Sequence, residues 1–243
     1  MNFFVNDNQI LDNKIYIKNS DVNHIKNVLR KRQGDKISVI CNNVIYNAKI
    51  IDFSNEQICC EILEKKDYKN DCKISLTIFQ GLAKADKIDY IIQKCSELGV
   101  DEIIPIEMKR CVVKLDGKDK GKKLSRWQKI AEVAAKQSLR NNILKIDKIY
   151  NFEELCLNIK KYDCVIMAYE KEQDVYLKDV LRNFDNSLKN IAVIIGPEGG
   201  IDDSEAKNLI DYGVRSVSLG KRILRTETAP VVVSAIIMYE IGS

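Results

Sequence analysis

IAVIIGPEGG, residues Ile191–Gly200, decides how this chain is read. Its first five residues are apolar and run without interruption into a bend rich in glycine and proline. Such a run, bounded by a turn, predicts a strand buried on both faces of a parallel sheet. Gly196, Pro197, Gly199 and Gly200 leave the following backbone bare and sharply turned. Bare backbone lets a ligand approach N–H and C=O groups closely. On loop chemistry alone the bend also reads as a plain tight turn. Glu198 sits within it and would repel a phosphate but suit a cation. Neither a P-loop nor a G-x-G-x-x-G fingerprint is present. In the continuation IDDSEAKNLIDYG, Asp202 and Glu205 have capping-box spacing, and Gly213 stands where a helix ends. Strand, bare loop and helix together place ligands at the carboxyl ends of parallel strands.

A second strand-to-loop passage lies further on. Val214–Leu219 reads as a strand, and Gly220 follows it directly. Lys221, Arg222 and Arg225 then cluster beside Thr226, Glu227 and Thr228. A helix is predicted from Ala229, with Pro230 tolerated in its first turn. It is apolar nearly all round, so it is buried in the core or against a second subunit.

Upstream, residues 1–70 read as short strands: Ile15–Ile17, Lys36–Ile40, Val44–Ile51 and Gln57–Ile62. Gln33-Gly34-Asp35 and Asn42-Asn43 are turn signals. A short helix capped by Ser20 or Asp21 is predicted, with Val22, Ile25, Val28 and Leu29 on one face and Gly34 at its end. Its last turn is Arg30-Lys31-Arg32, which suits either the helix dipole or a phosphate. Glu64–Asp71 reads as a linker. Strands and helices then alternate: strand Ile74–Phe79, a turn at Gln80-Gly81, a helix carrying Ile88, Ile91, Ile92, Cys95 and Leu98, a stop at Gly99, and strand Asp101–Ile106. Lys114–Lys123 reads as a charged loop, Ser125 and Gln128 as a second capping box, and Trp127 as core. Cys164–Ala168 is a further strand. This succession predicts an α/β fold with a parallel sheet covered on both faces.

The 243 residues suffice for one large or two small domains. With 45% hydrophobic and 30% charged residues, the composition is that of a soluble globular protein. No apolar run approaches the ~20 residues that span a bilayer. The N-terminal stretch carries no signal-peptide pattern, so a cytoplasmic location is expected. Eight cysteines without a C-x-x-C predict buried, reduced thiols, with zinc a remote alternative, and a single histidine, His24, argues against a histidine metal site or a Ser-His-Asp system. The net charge of +4 is a weak indication of nucleic-acid binding.

GPEGG at Gly196–Gly200 and LGKRILRTETA at Leu219–Ala229 resemble the two signature loops of the SPOUT methyltransferases. Within that superfamily the chain most resembles the RsmE family, ribosomal RNA small subunit methyltransferase E, which methylates N3 of a uridine in 16S rRNA. GLAKADKIDYIIQKCSELGV at Gly81–Val100, RCVVKL at Arg110–Leu115 and RWQKIAEVAAKQSLR at Arg126–Arg140 resemble the family as well. The likeness spans essentially the whole chain. Departures are Ala83 and Ala85 for proline and glycine, Lys136 for an acid, Leu139 for a small residue, and Lys221 for proline.

The resemblance implies a PUA-like RNA-binding β-barrel over 1–70 and a SPOUT domain over 73–243 ending in a deep trefoil knot. It implies S-adenosylmethionine held by three loops. These supply Ala168, Tyr169 and Glu170; then Ile195, Gly196, Pro197, Glu198, Gly199 and Gly200; then Leu219, Gly220, Ile223, Leu224 and Thr226. Arg225, Glu227 and Thr228 are the expected catalytic set, with Arg225 expected to stabilise the uracil anion and Glu227 to take the proton or orient Arg225. Arg30, Arg32, Lys84, Lys87, Arg110 and Arg140 are expected to grip RNA phosphates. A homodimer acting on 16S rRNA, within an assembled or assembling small ribosomal subunit and without metal or membrane, is implied. Alternatives are a ribose 2′-O-methyltransferase of the same superfamily acting on rRNA or tRNA, and an RNA-binding protein without catalysis. A flavin- or nucleotide-binding domain is disfavoured by the missing fingerprints.

Overall fold

The computed structural model describes residues 2–42, 44–54, 56–67, 72–185 and 187–242. Expectations resting on Asn43, on Tyr68–Asp71 of the linker, and on the side chains of Ser20 and Ala85 lie outside the described residues. The chain divides into two compact units, Met1–Asn70 with Ala135–Asn142, and Asp71–Ala134 with Ile143–Ser243.

The first unit is a six-stranded sheet. Its strands are β1 (Asn2–Phe4), β2 (Ile10–Leu11), β3 (Lys14–Lys18), β4 (Lys36–Cys41), β5 (Val44–Phe53) and β6 (Gln57–Asp67), in the order β1-β4-β5-β6-β3-β2. Among the described residues β1 pairs with β4 in parallel and the other pairs are antiparallel. Alternate residues such as Ile15, Ile17, Ile37, Val39, Ile58 and Cys60 point into one core. Among the described residues β1 and β2 do not pair, so hydrogen bonds do not close the expected barrel there.

The predicted helix differs. A single turn, α1 (Ser20–Asn23), widens into a π-turn over His24–Val28, closed by the Leu29 N–H donating to His24 C=O at 2.9 Å. The wider turn breaks the three-or-four spacing. Val22 and Ile25 are buried, but Val28 is 62% exposed. Arg30 has φ +51°, so Arg30-Lys31-Arg32 lies beyond the helix, and Gly34 turns the chain into β4 instead of ending a helix. Asp21 pairs with Lys136 at 2.7 Å, a partner that the acid expected at 136 would have repelled. Leu139 has φ +60°, a left-handed conformation that costs a β-carbon residue about 1–2 kcal/mol and accounts for the small residue expected there. Glu64–Asp67 is not linker but the end of β6, paired with Val44–Asn47, and Asn47 Nδ2 donates to Glu64 at 2.9 Å.

The second unit carries a wholly parallel sheet of β7 (Ser75–Gly81), β8 (Glu102–Glu107), β9 (Tyr150–Asn151), β10 (Cys164–Ala168), β11 (Asn190–Ile195) and β12 (Arg215–Val217), in the order β12-β10-β11-β7-β8-β9. Its helices are α2 (Ala85–Glu97), α3 (Gly117–Gln137), α4 (Phe152–Asn158), α5 (Leu177–Arg182), α6 (Asp203–Asp211) and α7 (Ala229–Ile241). Strand residues alternate between two cores. Ile191, Val193 and Ile195 join α2, α3, α5 and α7, whereas Ala192 and Ile194 join α4 and α6. Central β11 is therefore apolar from Ile191 to Ile195, each isoleucine contributing roughly 1.5–3 kcal/mol by burial.

Five local expectations fail in this unit. Lys114–Lys123 is not a loop: α3 begins at Gly117, where the Asp116 carboxylate accepts the Asp119 N–H at 2.9 Å and Lys120 pairs with Glu107 at 2.9 Å. Ser125 and Gln128 therefore stand inside α3 and cap nothing. The Gln128 amide instead fastens Leu144 C=O and Ile146 N–H, at 3.0 and 2.9 Å. Gln80 and Gly81 continue β7, and the last strand shortens to Arg215–Val217. Asp202 caps α6 by accepting from Ser204 N–H, but Glu205 does not complete the box: it is 2% exposed and accepts the Lys109 N–H at 2.9 Å. Trp127 is core, 2% exposed.

Candidate active site

The adjacent strands β12, β10 and β11 end together, and their following loops enclose a cavity of about 870 Å³. This is the ligand position of open parallel sheets, and the volume suits a drug-sized molecule. Its walls include Ala168, Tyr169 and Glu170 after β10; Ile195, Gly196, Pro197, Glu198, Gly199 and Gly200 after β11; and Leu219, Gly220, Ile223, Leu224, Arg225 and Thr226 after β12. Every residue expected to hold the cofactor therefore lines one cavity. Lys221 and Arg222, within the third of the expected loops, line it too, as do Glu172, Gln173, Tyr176, Ser218 and Ala229, which the sequence reading did not include in the site.

Close backbone packing explains the glycines. A β-carbon on Gly81, at the end of β7, would stand 2.5 Å from the Pro197 nitrogen. Gly200 has φ +72°, and a β-carbon there would collide with Glu170 Oε1. The two loops are tied from below by Gln80, which is 0% exposed. Its Nε2 donates to Gly81 C=O and to Thr226 Oγ1, both at 3.0 Å, and Thr226 Oγ1 donates to Gly196 C=O at 2.7 Å. The sequence reading placed Gln80 in a turn, and nothing in the sequence marked it as a buried tie. Leu219 and Leu224 pack on the apolar core below, giving the cavity an apolar floor beside polar walls.

Charge is distributed unevenly. Glu170, Glu172 and Glu198 contribute carboxylates, and Lys221, Arg222 and Arg225 contribute cations. Burial works to raise the pKa of Glu198. The Lys84 N–H, donating at 3.1 Å, and the nearby Lys87 ammonium outweigh it and hold the carboxyl below its ordinary value. Burial, a hydrogen bond to Asp203 at 2.8 Å and the charge of that carboxylate push the Tyr169 phenol up to about 12. Arg225 is exposed, with 83% of its side chain accessible. Glu227 lies behind it, outside the cavity wall, 4.0 Å from Arg225 Nη1 and 3.2 Å from Lys87 Nζ. Thr228 is exposed, and its N–H donates to Arg225 C=O at 2.9 Å.

The six cations expected to grip RNA fall into two sets. Arg30, Arg32 and Arg140 belong to the first unit, and Lys84, Lys87 and Arg110 to the second. Arg30 and Arg32 are exposed, and no carboxylate pairs with their side chains among the described residues. Arg140 bonds the Asn142 side chain at 2.9 Å. Arg110 turns to the glycine loop, reaching Gly199 C=O and Asp202 Oδ2, each at 3.4 Å. All eight cysteines are free, and among the described residues no group of three or more His, Cys, Asp or Glu converges as a metal site requires. No helix is long and apolar enough to cross a membrane.

Comparison with known proteins agrees with this architecture. A family model described as an RNA methyltransferase domain matches residues 70–238, and one described as an RNA methyltransferase PUA domain matches 17–63. The ribosomal RNA small subunit methyltransferase E of Bacillus subtilis (strain 168) is 35% identical over 92% of this chain and 89% of its own length. Its namesake from Mesomycoplasma hyopneumoniae (strain 232) is 36% identical over 94% of this chain and 95% of its own. Among solved structures, a Neisseria gonorrhoeae ribosomal RNA small subunit methyltransferase E bound to S-adenosyl methionine superposes with a TM-score of 0.86 at 28% identity, covering 99% of this chain and 98% of that one. With sequence and fold matched along nearly its whole length, the chain belongs to the ribosomal RNA small subunit methyltransferase E family.

Proposed function

We propose that this protein is an S-adenosylmethionine-dependent methyltransferase that modifies N3 of a uridine in the 16S rRNA of the small ribosomal subunit. The observation that carries the reading is the single cavity that gathers three loops at the ends of β12, β10 and β11, with Arg225 at its edge. The residues fit the cofactor. Leu219, Leu224 and Ile195 offer an apolar slot, loop backbone offers hydrogen bonds, and Glu170 and Glu198 complement a sulfonium. When bound, the cofactor supplies an activated methyl group. The protein's own task is to orient the uracil and favour loss of its N3 proton. Arg225 sets a guanidinium where the uracil carbonyls gather negative charge. Glu227 orients that guanidinium or accepts the proton, and Thr228 fixes the turn from which Arg225 projects.

The N-terminal unit, 1–70, grips RNA through Arg30 and Arg32, and the catalytic domain spans 73–243. The chain from β12 to α7 forms a deep trefoil knot, as the resemblance to the SPOUT methyltransferases implies. Two copies pair through the outer face of α7, where Ile236 is 37% and Tyr239 83% exposed. The work is cytoplasmic, on an assembled or assembling subunit.

The test is methyl transfer from labelled cofactor to small subunits and to naked rRNA, followed by nucleoside analysis. Label in N3-methyluridine is expected. Label on a ribose oxygen would replace the reading with 2′-O methylation, and cofactor binding without transfer would leave an RNA-binding protein.

A further inference from the structure

Lys87 stands in the first turns of α2, with its ammonium 3.4 Å from Glu198 Oε1 and 3.2 Å from Glu227 Oε2. All three side chains are mostly buried, at 23%, 21% and 20% exposure. Glu198 belongs to the glycine loop of the cavity, and Glu227 adjoins Arg225. The four residues Glu198, Lys87, Glu227 and Arg225 thus form a line of alternating sign from the cavity wall to an exposed guanidinium. We propose that Lys87 is a positioning residue, coupling the cofactor loop to the Arg225–Glu227 pair, and that it does not grip RNA. The inference rests on the roles given above to Arg225 and Glu227.

Charge arithmetic favours this placement. A phosphate could take Lys87 only by drawing it from two carboxylates, which would then repel each other and the phosphate. Both carboxylates favour the charged ammonium and together outweigh the burial that opposes it. Without Lys87, Glu227 has Arg225 as its remaining cation and draws the guanidinium back from the uracil. Glu198 keeps its hydrogen bond from the Lys84 N–H, so the cavity loop retains an anchor. Loss of Lys87 therefore acts on turnover more than on either ligand's binding.

Steady-state kinetics on small subunits separate the possibilities. Lys87→Met is expected to lower kcat by about 10- to 100-fold, the scale of a small misplacement of reacting groups. KM for RNA, its salt dependence and cofactor affinity should stay within a few-fold, and Lys87→Arg should recover much of the rate. In the double variant with Glu227→Gln the losses should fall well short of multiplying, because both act through one contact. A raised KM with intact kcat and a shallower salt slope would make Lys87 a phosphate ligand and overturn the proposal. So would a full-rate Lys87→Met beside a slow Arg225→Ala. A full-rate Arg225→Ala removes the underlying reading, and this proposal with it.

Discussion

Arg30 and Arg32 in the N-terminal unit and Lys87 and Arg110 in the C-terminal unit carry the same charge, yet the fold gives them different surroundings. The first pair faces solvent, without a carboxylate partner among the described residues. The second pair is engaged by the glycine loop and its neighbours: Lys87 by Glu198 and Glu227, Arg110 by Gly199 and Asp202. Phosphate binding draws on cations that are not already neutralised. A basic residue's role is thus set by the carboxylates that folding brings to it, and a cluster in the sequence does not reveal them.

The sharpest way to test the C-terminal side of this contrast is Arg225→Ala. Removing a cation aimed at developing charge should lower kcat by about 10²–10³, with cofactor affinity little changed; single-turnover assays and calorimetry measure the two separately. Next in size is Thr226→Val. It removes the 2.7 Å donor to Gly196 C=O and leaves a buried Gln80 N–H only its long 3.5 Å contact with that carbonyl, so a loss of about 1–3 kcal/mol is expected in urea unfolding. The N-terminal side is tested by changing Arg30 and Arg32 to alanine together. The slope of log affinity against log salt should become shallower by roughly 0.7–0.9 per arginine, whereas Arg110→Ala should leave it unaltered. Equal slopes for all three would erase the contrast.

The smallest effect concerns pH. The folded Glu198 pKa lies below its ordinary value of 4.5, so its contribution is complete above 4.5 and is lost as pH falls through the folded value. Denaturant unfolding between about pH 6 and pH 3 should show that loss, and Glu198→Gln should flatten it by a few tenths of a kcal/mol, since the group is partly solvated.

Much of the cavity was legible because its signals are local. Bare glycine and proline at 196–200 and the apolar run before them need no distant partner to be read. The α3 start was not legible. Lys, Asp and two glycines over 114–123 look like a loop, and the bonds that favour helix come from Glu107 and from the 144–146 backbone. Glu205 failed as a capping residue for the same reason, since its partner is the Lys109 backbone. Gln80 and the shared ammonium of Lys87 depend on residues far along the chain. The π-turn escaped because helical spacing presumes a constant turn, and His24–Val28 breaks it.

Trp127 is the only tryptophan, and it lies shielded in the core of the C-terminal unit. Its fluorescence therefore reports the melting of that unit alone, while far-ultraviolet circular dichroism registers both. If the two probes melt at one temperature, the units unfold cooperatively; a gap between midpoints measures how far the N-terminal sheet comes apart by itself.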